Sequence, residues 1–541
     1  MNSGVLNGVV RPGAEPGSDN DSKMMRKRAW KLLSIVAAVV LAHGCAVNPV
    51  TGESEIAFVS ESQELSIGKK NYGPYRQAQG GDYVLEPRLT EYVDDVGRRL
   101  AGVADRKLPY EFTVINDSTP NAWALPGGKI AINRGLLAEL DSEAELAAVL
   151  GHEIVHAAAR HSAQSMERGV LLQGALIATG VALGGSDYEQ LGVLGAGIGA
   201  QLVNQKYGRD DETEADIYGM RYMVRAGYDP AAAVDLQETF VRLAEGRETS
   251  WLEGLFASHP PSRERVEANR RMVVELGNPG GEIGERRYLE AIARIRRNKP
   301  AYEAFDDARQ AFRQKDLKTA MKQVNRAIAI EPEEAAFHTL RGEIRAAGAD
   351  HEGAIRDLDT AVALNPGYYR PLLLRGITRR ELGDRRGASS DLERSVSMLP
   401  TAEGYYDLGL IAQDGNDRNR AIGYFRKAAT SDTEIGNRAG RQLARLDLQD
   451  NPSRYLSTRL GLSADGFLLV QIDNPTSVAV RDVQVAVGQR SGSGIAKARR
   501  YELDSALAAG RTARLKTGIG PLTKDQARRL GAVVTRARVA E

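Results

Sequence analysis

The chain holds one cysteine, Cys45, among 541 residues, so no disulfide can form within a molecule. Aromatic residues are scarce at 6%, which suits a helix-rich chain better than a large β-protein. Net charge is almost absent, with 72 basic residues against 71 acidic ones. That balance, with no nucleic-acid motif, gives no reason to expect a nucleic-acid partner. Downstream of Cys45, no apolar run reaches the ~20 residues a membrane-spanning helix needs. What is present is ordinary for globular protein, 42% hydrophobic and 26% charged. The length exceeds what one core organises, so two to four domains are expected.

Residues 1–44 read as a tail followed by a signal peptide. A basic stretch, Arg26-Lys27-Arg28 with Lys31, precedes an apolar run from Leu32 to Ala42, and Gly44-Cys45 follows. The run has signal-peptide proportions. Bacterial lipoproteins are cut just before a cysteine that then carries the lipid, and this segment resembles such a signal, although Ala42 and His43 depart from the usual pattern. Cys45 is therefore the expected lipidation site, giving a lipid anchor to a membrane. Plain secretion and a retained anchor are the alternatives. Residues 1–23, polar and ahead of the basic segment, point to a start at Met24 or Met25, or else form a disordered tail.

Four regions follow. Residues 45–275 alternate helical patterns with one strand-like stretch, Gly128 to Asn133. Residues 276–300 read as a linker helix, entered through Asn278-Pro279-Gly280-Gly281. Residues 301–434 repeat: Pro332, Pro366 and Pro400 are 34 apart, as are Ala320, Ala354 and Ala388, and Leu340-Arg341-Gly342 recurs as Leu374-Arg375-Gly376. A 34-residue period with small residues at helix crossings resembles the tetratricopeptide repeat, whose helix pairs stack into a curved solenoid. Four units are expected. Residues 452–541 turn β-rich, with strands expected at 467–472, 478–487 and 511–517, a turn at Asn474 to Ser477 and a short helix from Lys524 to Leu530. A small β-sandwich-like module without chemistry is the reading.

Chemistry concentrates at His152-Glu153-Ile154-Val155-His156. Ser142 caps the helix, and Glu145 three residues on is placed to complete a capping box. Four residues turn a helix by about 400°, so both histidines face one side. Two neutral imidazoles there can share one Zn²⁺, and Glu153 beside them is placed to take a proton from attacking water. Catalytic zinc needs three protein ligands and one open position. His161 lies five residues past His156, well round the helix, and reads as structural. A carboxylate must supply the third ligand. The acidic run Asp210-Asp211-Glu212-Thr213-Glu214-Ala215-Asp216 offers Glu212, with Asp216 on the same face to orient a ligand histidine, and Glu214 as a competitor.

Asn121-Ala122-Trp123-Ala124-Leu125-Pro126-Gly127-Gly128, then Gly151-His152-Glu153-Ile154-Val155-His156, Glu212-x-x-x-Asp216 and Ser258-His259-Pro260 resemble the Ste24-type peptidase family. The stretch Cys45 to Gly52 resembles its lipoprotein members. The resemblance implies a mainly α chain with an α+β, gluzincin-type metallopeptidase domain. It implies His152, His156 and Glu212 as zinc ligands, Asp216 as the carboxylate behind them and Glu153 as the base. His259 has two readings: an ordinary loop residue before Pro260-Pro261, or, as the resemblance implies, a fourth ligand that fills the open position and holds the enzyme latent. Bacterial members with such repeats are periplasmic and act in outer-membrane β-barrel assembly. The expected partners are unfolded or misassembled protein substrates and, through the repeats, the barrel-assembly machinery. The C-terminal β-module departs from those members.

Two further expectations concern access. The strand Lys129-Ile130-Ala131-Ile132-Asn133 is expected to be a sheet edge that holds extended substrate by strand addition, with Pro126-Gly127-Gly128 turning into it, and an ordinary core strand is the alternative. Residues 170–183 and 191–203 are apolar, Gly-rich and too short to span a bilayer, and read as a helical hairpin over the cleft. The function expected is a zinc-dependent endopeptidase of the bacterial envelope. The alternative is a repeat-based chaperone or scaffold with a latent zinc domain.

Overall fold

The computed structural model describes residues 45–57, 59–167, 207–246, 259–491 and 494–540. The signal segment, Ser258 and the expected hairpin of 170–183 and 191–203 lie outside the described residues. Among the described residues, no helix is long and apolar enough to cross a membrane.

Strands β1 (Cys45–Val47) and β2 (Ser54–Ile56) pair antiparallel. Helix α1 (Glu61–Ala78) follows, its start fixed by a capping box between Ser60 and Gln63. Helix α2 (Pro87–Ala101) opens on a proline, whose missing N–H costs nothing in the first turn. A three-stranded sheet comes next: β3 (Glu111–Ile115), β4 (Ala122–Leu125) and β5 (Lys129–Asn133), in the order β3-β5-β4. Gly127 and Gly128, at φ +78° and +80°, make the tight turn from β4 into β5.

This order corrects one expectation. Lys129, Ile130, Ala131, Ile132 and Asn133 form the central strand, parallel to β3 and antiparallel to β4. Both of its edges are already hydrogen-bonded and all five residues are buried, so no peptide can add to it. An unbroken buried run marks an interior strand. The edge beside the histidine helix is β4.

Helix α3 (Glu143–Ala158) carries the histidine motif and is buried along nearly its whole length. Ser142 Oγ caps it by accepting from Glu145 N–H at 3.1 Å. The reciprocal half of the expected box is shifted: Glu145 Oε2 accepts from Asp141 N–H at 2.9 Å, not from Ser142. Helices α4 (Arg209–Arg225) and α5 (Ala232–Gly246) pack on α3, and α6 (Arg263–Glu275) packs on α4 and α5. Helices α3 and α4 meet at Gly151 and Gly219. A Cβ on Gly219 would sit 3.1 Å from His152 N, so the pair of glycines sets how close the acidic helix comes.

The 276–300 segment is not a free spacer. Helices α7 (Glu285–Ala291) and α8 (Ala293–Arg297) bury Tyr288, Ile292 and Ile295 in the same apolar core as α2, α3 and the sheet. Tyr288 O–H donates to Leu137 O at 2.6 Å, and Arg287 grips Glu143 with two N–H groups. That core runs on through Tyr302 to Phe337, so the first repeats are welded to it.

The repeats are four helix pairs: α9 (Lys299–Arg313) with α10 (Leu317–Ile330), α11 (Ala335–Ala347) with α12 (His351–Leu364), α13 (Tyr369–Glu381) with α14 (Arg385–Met398), and α15 (Ala402–Asp414) with α16 (Arg418–Ala428). Helix α17 (Glu434–Asp447) covers the end. Ala320, Ala354, Ala388 and Ala421 are fully buried at the crossings. The recurrent glycines have a steric cause: a Cβ on Gly342 or Gly376 would lie 2.8 or 2.7 Å from Leu358 or Leu392. The arginine before each pairs with Asp357 or Asp391 at 2.6–2.7 Å. Gln77 of α1 ties the array down, its amide donating to Gly367 O at 2.9 Å and accepting from Tyr369 N–H at 2.8 Å.

The C-terminal region holds two three-stranded antiparallel sheets sharing one apolar core. Strands β6 (Ser457–Leu462), β7 (Leu468–Asp473) and β10 (Thr512–Lys516) form one. Strands β8 (Val480–Ser491), β9 (Gly494–Glu502) and β11 (Leu530–Val539) form the other. The Asn474–Ser477 turn links β7 to β8, so it passes between sheets instead of closing a hairpin.

Candidate metal centre

Four of the chain's seven histidines gather at one point, His152, His156, His161 and His259. Helix α3 projects His152 and His156 together, with their Nε2 atoms 3.0 Å apart. Helix α4 brings Glu212 opposite, with Oε1 3.4 Å from His156 Nε2 and Oε2 3.6 Å from His152 Nε2. His259, just ahead of α6, inserts from a third direction. Its Nδ1 lies 2.8 Å from Glu212 Oε1 and 3.3 Å from His152 Nε2. One donor atom from each of these four residues falls within 4.8 Å of all the others.

The surrounding contacts orient these groups. Asp216, one helical turn beyond Glu212, faces His152 Nδ1 at 3.0 Å. That bond directs the ring's other nitrogen into the cluster. His161 Nδ1 meets His156 Nδ1 at 2.8 Å and plays the equivalent part, and Tyr207 stacks on the His156 ring at 3.8 Å. Glu214, the competing carboxylate, stands 3.5 Å from His161 Nε2, outside the cluster. Arg265 of α6 donates to both Asp216 oxygens, at 2.8 and 2.7 Å. Its Nη1 also lies 2.9 Å from Glu212 Oε2, near enough for charge pairing but not aligned as a hydrogen bond.

Electrostatics follow from burial and pairing. Burial raises the pKa of Glu153, outweighing the nearby histidines. Burial lowers that of His156 well below the usual imidazole range. Burial opposes the charges on Glu212 and Asp216, yet the histidines around Glu212 and the Arg265 guanidinium beside Asp216 prevail and keep both low.

The donor set fits a tetrahedral cation. Ligand atoms about 2.0–2.1 Å from one metal are about 3.3 Å apart, close to five of the separations here, at 2.8–3.6 Å, with the whole set lying within 4.8 Å. Neutral imidazole nitrogens pointed at each other repel unless something positive lies between them. Oε2 of both Glu212 and Glu153 is buried without a hydrogen-bond partner, a cost that a bound cation and its substrate would remove.

Sequence reasoning brought His152, Glu153, His156, Glu212, Asp216 and His259 together, and the fold does so too. It missed Arg265 and Tyr207 and the use made of His161. Arg265 stands six residues past His259 on an exposed-looking charged helix, and only the packing of α6 on α4 turns it inward.

Fold and clustered donors are those of a metallopeptidase. The model of peptidase family M48 matches residues 87–273, and the chain belongs to that family. Metalloprotease YcaL of Escherichia coli is 33% identical over 267 residues, covering 46% of this chain and 98% of that protein. The β-barrel assembly-enhancing protease of Escherichia coli is 31% identical, over 40% of this chain and 47% of its own length. The mitochondrial metalloendopeptidase OMA1 of Schizosaccharomyces pombe is 40% identical, over 33% and 51%. The chain thus spans about half the length of the assembly-enhancing relatives it matches.

Proposed function

We propose that the chain is a zinc-dependent endopeptidase of the bacterial cell envelope that degrades misfolded or misassembled envelope and outer-membrane proteins. The observation that carries this reading is the convergence of His152, His156 and Glu212 beside the buried, unpaired carboxylate oxygen of Glu153. Bound Zn²⁺ would supply Lewis-acid polarisation of the scissile carbonyl and of water. Glu153 takes the proton from the attacking water and returns it to the leaving amine. Its burial favours the second half of that exchange by raising its proton affinity. Asp216 fixes the His152 tautomer, and Arg265 keeps Asp216 ionised. Extended substrate would lie along β4, taking over the part expected of Lys129–Asn133.

His259 serves as a fourth ligand that closes the centre, so the resting enzyme is latent and substrate entry requires that its loop withdraw. Residues 45–275 supply the chemistry, and the repeats of 301–434 dock unfolded clients or the barrel-assembly machinery. The protein works in the periplasm, attached to the outer membrane by a lipid on Cys45, a placement supported by the signal-like segment and by relatives named for β-barrel assembly. The second reading, a repeat-based chaperone or scaffold with a permanently closed zinc domain, is favoured by the position of His259 against Glu212.

Glu153→Gln separates the two. The variant should keep zinc, measured by metal analysis, and lose cleavage of an unfolded protein. Chelation should abolish cleavage by the wild type. If Glu153→Gln restores every cellular phenotype of a deletion strain, the scaffold reading stands instead.

A further inference from the structure

Residues 452–541 hold 15 of the chain's 72 basic residues but only 7 of its 71 acidic ones. The chain as a whole is almost neutral, so its positive charge is gathered in this β-rich module. Much of it lies along one strip. The segment 517–529, which joins β10 to β11, crosses the start of β7. There Leu468 N–H donates to Ile519 O at 2.8 Å, and Leu522 N–H donates to Gly466 O at 2.9 Å. Its short helix, Lys524–Arg528, packs on β6 and β11. Arg490, at the end of β8, then donates its N–H to Arg529 O and its Nε–H to Leu530 O.

Lys524, Arg528, Arg529 and Arg490 are therefore neighbours, and all are exposed. Lys516 joins them, opposite Leu469 in the β10–β7 register. The strip carries two carboxylates, Asp465 and Asp525, and the second already faces Arg528 at 3.6 Å. Phe467 stands between Lys516 and Lys524. It is 37% exposed, the only exposed aromatic side chain among the described residues. Its backbone is pinned by Ser463, through N–H to Oγ at 3.0 Å and O to N–H at 2.8 Å. The ring is thus held out in water by a tight turn.

Cations alone would suit any polyanion. Phe467 decides for a lipid surface, where one layer supplies phosphate for the cations and acyl chain for the ring. Edge protection does not explain these cations, because most of them sit on the connecting segment and not along an edge strand. We propose that this strip docks on an anionic phospholipid surface, with Phe467 entering the headgroup layer and the five cations pairing with lipid phosphates. The contact is separate from the lipid proposed on Cys45 and does not rest on the peptidase reading.

The mature chain from residue 45, carrying Cys45→Ser so that no lipid is attached, would be floated with vesicles through a density gradient. Vesicles of equal parts phosphatidylglycerol and phosphatidylethanolamine should bind it more than about tenfold tighter than phosphatidylcholine vesicles, and less tightly as salt rises. Lys524→Gln/Arg529→Gln should lose about 25-fold of that affinity, at about fivefold per cation. Phe467→Ala should lose about tenfold. Phe467→Trp should shift its emission to shorter wavelength with the anionic vesicles alone. Each variant should keep the wild-type midpoint of urea unfolding, since the side chains changed are exposed. Equal affinity for the two kinds of vesicle, or no loss in Lys524→Gln/Arg529→Gln, overturns the proposal. Tighter binding to polyglutamate than to the anionic vesicles also overturns it, in favour of an acidic protein partner.

Discussion

The repeats and the metal centre both bury acidic side chains among basic ones, with opposite results. In the repeats, Asp357 is held by Arg341 and Arg345, and Asp391 by Arg375 and Arg379, at 2.6–3.0 Å. Their charges are matched and every oxygen is used. At the candidate metal centre Asp216 is matched in the same way by Arg265, but Glu153 keeps a buried oxygen with no hydrogen bond, Glu212 keeps one that only the Arg265 charge approaches, and histidine nitrogens face one another. The first arrangement is finished as it stands. The second leaves donor atoms that could hold a cation, which makes unpaired buried groups a better mark of a candidate site than buried charge as such.

The sharpest way to break this contrast is to delete one carboxylate from each region. Glu212→Ala should fold and lose stoichiometric zinc and all cleavage, while Asp391→Ala should keep one zinc per chain. A Glu212→Ala protein that still holds one tightly bound zinc would remove Glu212 from the ligand set. Next in size is Arg375→Ala. It leaves Asp391 buried with Arg379 alone, and should cost about 3 kcal/mol in urea unfolding without changing zinc affinity. Asp216→Asn should weaken zinc by about 10- to 100-fold in competition with a chelator, since it disturbs only the orientation of His152. An unchanged affinity would show that the Asp216 contact is structural.

The smallest effect lies outside both networks. Burial pushes the Glu145 pKa up to about 7, above its ordinary 4.5. Between those values the folded state holds the extra proton, so this group's contribution to stability falls as pH rises from 4.5 to 7. Glu145→Gln keeps the acceptor for Asp141 N–H and removes the ionisation. It should raise stability by about 2 kcal/mol at pH 8 and by almost nothing at pH 4. Equal gains at both pH values would assign the effect to packing.

Legibility in the sequence varied with how local the physics is. The repeat period was readable because Ala320, Ala354 and Ala388 each fill the same helix crossing. In the C-terminal region β7, β8 and β10 were found within a few residues, but β6, β9 and β11 were not. Strand β9 is charged and almost wholly exposed, so no alternation marks it. Strand β5 was seen as a strand and misplaced as an edge, because sheet order depends on partners that sequence distance does not reveal.

By itself the sequence paired the candidate site residues that helix periodicity places on one face, each pair four residues apart: His152 with His156, and Glu212 with Asp216. The family resemblance supplied the choice of Glu212 and the part given to His259. Only the tertiary structure decided what those faces meet. The glycine contact at Gly151 and Gly219 draws the acidic helix against the histidines, and the packing of α6 delivers Arg265 to Asp216. Helical spacing is written in three or four consecutive residues, whereas the approach of two helices depends on every side chain between them.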